Sequence, residues 1–205
     1  MLEVTDLECV RGDRRLFTAM NFSLQPGELL HVHGPNGSGK TSLLRTVCRL
    51  MEPAAGEIRW CGSPVRALAE DYLAQLLYLG HLNGLKDELS GQENLAINAT
   101  LAGSRITPQQ TQQALRRMGL DGYDDLPVKL LSQGQKRRVA LARLLLNGAK
   151  LWILDEPFTA LDSVAVKTLQ AILAGHLDSG GMVILTTHQE FAIDAGRVKR
   201  IHLGA

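Results

Sequence analysis

The sequence predicts an α/β fold: a mostly parallel sheet covered by helices, with a small antiparallel β layer and an inserted helical segment. Three observations predict it. Strand-like apolar runs at Leu29–His33, Leu151–Leu154 and Met182–Thr187 alternate with helix-like patterns, which is how strand–helix units around a parallel sheet are written. The first ~30 residues instead read as short segments divided by turn residues, with Val4, Leu7, Phe17, Phe22 and Leu24 as their apolar positions. The middle, Leu85–Leu130, carries no strand signal.

At the start of the chain, Arg11-Gly12-Asp13 and Gln25-Pro26-Gly27 mark turns, and Glu57–Cys61 is expected to join the antiparallel layer. Leu151–Leu154 is apolar throughout, as a strand buried on both faces must be. In the middle segment, Thr107-Pro108-Gln109-Gln110 places a capping Thr, a Pro in the first helical position and a Gln three residues after the cap. Gly119 is a suitable stop. The expected organisation is one domain, 1–205, with 1–84 and 131–205 forming the β layer and core and 85–130 a helical subdomain.

Bulk properties narrow the function. The 205 residues are 45% hydrophobic, enough for a packed core and unlike a disordered chain. A formal charge of +1 and 4% aromatics argue against binding nucleic acid or lipid through bulk charge. Met1–Val10 lacks the basic start and apolar run of a secretory signal, and no stretch of about 20 apolar residues is present. Crossing a membrane would then fall to another chain. Cys9, Cys48 and Cys61 form no CxxC pair and read as reduced structural thiols.

Gly34-Pro35-Asn36-Gly37-Ser38-Gly39-Lys40-Thr41 is G-x-x-x-x-G-K-T, followed by Ser42. It lies between a strand-like run and the helix-like Thr41–Leu50, the setting a phosphate-binding loop needs. Glycines let backbone N–H groups curl around phosphate oxygens, and the helix N-terminus adds positive potential. Lys40 is expected to bridge the β- and γ-phosphates of ATP, and the Thr41 hydroxyl to hold Mg²⁺. An ordinary glycine-rich turn is the plain alternative. Leu151–Leu154 ends in Asp155-Glu156, two acids at the carboxyl edge of a parallel sheet, where ligands bind. Asp155 is expected on Mg²⁺ and Glu156 as the base that deprotonates the attacking water. His188, at the end of the next strand, is placed to hold that water in line; a structural histidine is the bland reading.

Leu131-Ser132-Gln133-Gly134-Gln135 resembles the LSGGQ signature of ABC ATPases. Physically it is a capping box, Ser132 at the cap and Gln135 three residues on, whose free N–H groups can receive an anion. A plain helix start is the alternative. Lys136, Arg137 and Arg138 follow, where positive charge opposes the helix dipole. A phosphate or acidic partner would offset that; a solvated basic face is the other reading.

The resemblance covers nearly the whole chain. It implies a P-loop NTPase fold of the ABC ATPase type, with a RecA-like core, and an ATP-dependent head-to-tail homodimer. Ser132, Gly134 and Gln135 would then touch the nucleotide held by the other subunit's loop. Ala160-Leu161-Asp162 is similar to the D-loop that links the two sites. Two positions depart from the family. Arg11 stands where an aromatic stacks on adenine, and a guanidinium can stack on a base; Phe17 is the other candidate for apolar contact. His81 stands where the Q-loop has its Gln.

Tyr78-Leu79-Gly80-His81, Gly84-Leu85-Lys86 and Leu131–Leu144 resemble the haem-exporter ATPases of cytochrome c maturation. That resemblance implies a subunit on the cytoplasmic face of a bacterial membrane, bound to integral-membrane permease partners of a haem-handling complex. Only seventeen residues follow His188, which reads as no regulatory tail. No haem site is expected in the chain itself: His31 and His33 share a strand face and read as packing residues. Alternatives are a transporter of another cargo (lipid, drug or lipoprotein), a soluble ABC ATPase, and a non-hydrolysing ATP clamp.

Overall fold

The computed structural model describes residues 1–204, which divide into two compact units.

The first unit comprises residues 1–78, 149–156 and 175–204. Its chain begins with β1 (Leu2–Arg11) and β2 (Arg14–Leu24), an antiparallel hairpin. Gly12, at φ 59°, makes the two-residue turn, a conformation that costs glycine little. β3 (Leu29–His33) and α1 (Lys40–Val47) follow. Next come β4 (Ala55–Trp60), β5 (Ser63–Pro64) and two single-turn helices, α2 (Val65–Leu68) and α3 (Glu70–Leu73). β6 (Leu76–Leu79), β7 (Leu151–Asp155), β8 (Met182–Thr186) and β9 (Val198–His202) complete the strands.

The strands form two sheets. One is four-stranded, ordered β2-β1-β4-β5, with every pair antiparallel; the expected third member around Glu57 is β4. The other is five-stranded, ordered β6-β7-β8-β3-β9, and its pairs β7/β8, β8/β3 and β3/β9 are parallel. All residues of β7 and β8 are buried, as their unbroken apolar runs require. One core joins Leu2, Leu7 and Ile58 of the first sheet with Leu30, Ile153 and Ile184 of the second and Leu43 and Val47 of α1.

The second unit comprises residues 79–148 and 157–174. It holds α4 (Gly91–Leu101), α5 (Pro108–Arg117) and α6 (Gln133–Ala142). It also holds most of α7 (Ser163–Asp178), whose last turn continues into the first unit. Residues 85–130 fall within this unit, and so does the segment Leu131–Gln135. Thr107 caps α5 with Gln110 closing the box and Pro108 at its start, and Gly119 at φ 71° follows its end. Among the described residues no helix is long and apolar enough to cross a membrane.

Candidate nucleotide site

The loop after β3 is shaped by glycines. Gly34 has φ 145° and Gly39 φ 103°. A Cβ on Gly34 would lie 2.4 Å from the Leu203 carbonyl oxygen and 2.6 Å from Ser38 Oγ, so no side chain fits there. A Cβ on Gly37 would meet nothing within 4 Å; its φ of 79° is what asks for glycine. Lys40 opens α1 and its ammonium donates to the carbonyls of Gly34 at 2.7 Å and Pro35 at 3.1 Å. The Ser38 hydroxyl is buried without a hydrogen-bond partner. Asn36 is exposed and Ser42 is buried on α1.

Asp155 is the hub of the first unit's site. It is 3% exposed. Thr41 Oγ1 donates to its Oδ2 at 2.7 Å and Thr186 Oγ1 to its Oδ1 at 2.7 Å. Thr186 was not singled out from the sequence. The signal was the parallel register of β7 and β8, which sets Asp155 opposite Thr186. The same hydroxyl accepts from the Glu156 N–H at 2.9 Å. Glu156 has φ 51°, a left-handed conformation uncommon outside glycine and of the kind that collects at functional sites. His188 Nε2 lies 3.6 Å from Glu156 Oε1, close enough for charge interaction but beyond hydrogen-bond reach.

Behind His188 is a residue whose functional place the sequence did not reveal. His31 is 5% exposed and its Nε2 lies 3.1 Å from the carbonyl oxygen of Thr187. Its ring packs on His33 and Phe191. Burial lowers its pKa from 6.5 to about 4, helped by the positive charges of His33, Arg200 and His188 and opposed by the Thr187 bond. The neutral ring therefore donates to Thr187 and fixes the backbone immediately before His188.

Arg11 is exposed at the end of β1, opposite Arg14. Phe17 is buried, and a Cβ on Gly39 would approach its ring to 3.3 Å. Phe17 thus packs under the loop.

The second unit carries the signature segment. Ser132 caps α6: its hydroxyl accepts from the Gln135 N–H at 3.2 Å, and Gln135 Oε1 accepts from the Ser132 N–H at 2.8 Å. Ser132 and Gln133 are exposed. Gly134 is not interchangeable with its neighbour, because a Cβ there would sit 2.7 Å from the Ala160 carbonyl oxygen. Asp162 caps α7 through Oδ1, which accepts from Ala165 N–H at 2.8 Å. His81 is exposed.

A glycine-wrapped loop at the end of a parallel strand, joined by hydroxyl and carboxylate to an acid-tipped strand one place further along the sheet, defines a P-loop nucleotide-binding protein. The profile described as ABC transporter matches residues 17–159, and the chain belongs to that family as an ATPase of the ABC type. It is 54% identical over 202 residues to the cytochrome c biogenesis ATP-binding export protein CcmA of Nitrosospira multiformis, spanning 98% of each chain. It is 53% identical over 204 residues to the protein of that name from Dechloromonas aromatica, spanning 100% of each. Among solved structures, a putative ABC transporter ATP-binding protein of Pyrococcus furiosus superposes with a TM-score of 0.84 at 27% identity, covering 97% of this chain and 96% of that one. A dimeric bacterial ABC transporter cassette shares the fold, with a TM-score of 0.82 at 22% identity over 98% and 94% of the chains.

Proposed function

We propose that the chain is the ATP-hydrolysing subunit of a membrane ABC complex in cytochrome c biogenesis, and that its work serves haem export and release of a haem-loaded chaperone. The relatives' name supports biogenesis and export. The blocks Tyr78–His81, Gly84–Lys86 and Leu131–Leu144 support haem as the cargo.

The observation that carries the enzymatic reading is the bridge of Thr41 and Thr186 on Asp155. It brings the loop that would hold phosphate and the strand that presents Glu156 to one point. In this reading the N–H groups of Gly34–Thr41 and the start of α1 hold the phosphates, Ser38 Oγ finds its missing partner there, and Lys40 turns from loop carbonyls to the β- and γ-phosphates. Thr41 Oγ1 and Asp155 Oδ2 are hard oxygen donors that suit Mg²⁺. The ion would neutralise charge on the β- and γ-phosphate oxygens. Glu156 takes a proton from water, the water oxygen bonds to the γ-phosphorus, and the bond to ADP breaks to leave ADP and phosphate. His188 steadies the phosphate and water.

Ser132, Gly134 and Gln135 act on the nucleotide of a second copy, so the working form is an ATP-dependent homodimer. Arg11 offers its guanidinium to the base. The partners are integral-membrane permease subunits, and the chain works against the inner face of a bacterial membrane. It binds neither nucleic acid nor haem directly.

Loss of a general base costs roughly 10²–10⁴ in rate. Glu156→Gln is expected to bind Mg-ATP, hydrolyse it that much more slowly, and shift to dimer size when Mg-ATP is present. Steady-state hydrolysis and light scattering read both. Parental turnover in Glu156→Gln would remove Glu156 as the base.

A further inference from the structure

The second unit holds a buried guanidinium that the hydrolytic chemistry leaves unused. Arg137 lies one turn into α6 and is 4% exposed. Its Nη1 donates to the Gly80 carbonyl at 3.1 Å and to Asn83 Oδ1 at 3.2 Å, and its Nε to the Pro157 carbonyl at 3.4 Å. Gly80 and Asn83 bracket His81, and Pro157 is the residue after Glu156. The chain passes from the first unit into the second just before Gly80 and again at Pro157. One side chain of the Ser132-headed helix therefore ties together two other segments of the second unit.

A guanidinium suits this task because its donors are fixed in one plane, so satisfying acceptors on two segments fixes those segments relative to each other. A lysine ammonium has no such fork. His81, Asn83, Gln133 and Ala160 also line, with Arg137, a cavity of about 220 Å³. The segments are thus joined here through the guanidinium, with room beside it for the His81 segment to shift.

We propose that Arg137 is a positioning residue for ATP turnover: its guanidinium makes the His81 segment, the segment that leaves Glu156 and the helix headed by Ser132 move as one piece. This rests on the ATPase reading above. Arg137 acts through the segments it holds.

The test is steady-state hydrolysis of Mg-ATP by the full chain and its Arg137→Lys, Arg137→Gln and Asn83→Ala variants, with melting followed in parallel. In both Arg137 variants kcat is expected to fall about tenfold or more while KM stays within about twofold, the mark of an interaction that matters only during turnover. A purely structural arginine would lower the melting temperature and leave kcat per folded molecule intact. Asn83→Ala is expected to lower kcat less, and to add nothing in the Arg137→Gln background, because coupled groups are not additive. Unchanged kcat in folded Arg137 variants, or effects that simply multiply, would overturn the proposal. Should the Arg137 variants fail to fold, unchanged kcat in Asn83→Ala overturns it alone. Glu156→Gln in the same assay keeps the two readings apart: parental hydrolysis there defeats the base assignment whatever Arg137 does.

Discussion

Asp155 and Gly134 show how single residues are fixed by what they touch. A carboxylate buried to 3% exposure is costly unless its oxygens are satisfied, and Thr41 and Thr186 each take one of them. The signature presents the opposite case, a demand set by space. Gln133 replaces the first of the two glycines familiar from the LSGGQ pattern, and its side chain is exposed, free of such a constraint. Gly134 faces the Ala160 carbonyl at a separation that a methyl group would reduce to 2.7 Å. Adding a carbon to a filled space typically costs about 1–3 kcal/mol, more than the helix propensity gained by alanine. Gly134→Ala is therefore expected to lower the melting temperature clearly, and Gln133→Gly to change stability by no more than about 1 kcal/mol. Equal melting curves for the two variants would show that the Ala160 segment yields at no cost.

Elements differ in how openly the sequence announces them. Leu29–His33 was legible to the residue, and the runs at Leu151 and Met182 nearly so; the last two are apolar almost throughout, as strands buried on both faces are. β9 was not legible. It reads Val-Lys-Arg-Ile-His and lies at the sheet edge, where charge is tolerated and protects against further pairing. β6 is only four residues long. The capping boxes at Thr107 and Ser132 are readable from their spacing, yet the same spacing at Ser90-Gly91-Gln92-Glu93, which caps α4, does not stand out among its polar neighbours. Nor could spacing tell where Lys136, Arg137 and Arg138 point. Consecutive helical residues diverge by about 100°, so Lys136 pairs with Asp87 at 3.2 Å, Arg137 is buried, and Arg138 donates to the carbonyls of Met118 and Gly119 at the end of α5. Cations belong at a helix C-terminus, and α5 thus uses the charge that α6 alone would resist. The cap of α6 separates structure from function. Aspartate caps as well as serine but brings a negative charge towards a phosphate. Ser132→Asp is expected to keep the unfolding free energy within about 0.5 kcal/mol of the parent and to lose ATP-dependent dimer formation. Dimers that form normally in Ser132→Asp would place the γ-phosphate elsewhere.

For the molecule as a whole, the buried His31 makes stability depend on acid. His31 sits on the central part of the parallel sheet, its strand paired with β8 on one side and β9 on the other. Its pKa is lowered to about 4, and burial lowers those of His33 and His176 as well. The unfolded chain takes up a proton at His31 near pH 6.5, whereas the folded chain resists until about pH 4. Between those values the unfolded state binds more protons, so stability rises with pH. The contribution is fully present above pH 6.5 and is lost as pH falls towards 4. One such group changes stability by up to about 1.4 kcal/mol per pH unit. Urea unfolding between pH 7 and pH 4.5 is expected to show a falling midpoint on acidification. His31→Gln keeps an N–H donor but cannot charge, so the slope should lessen by about one proton in that window. A His31→Gln chain whose midpoint falls as steeply as the parent's would assign the acid response to His33 and His176 instead.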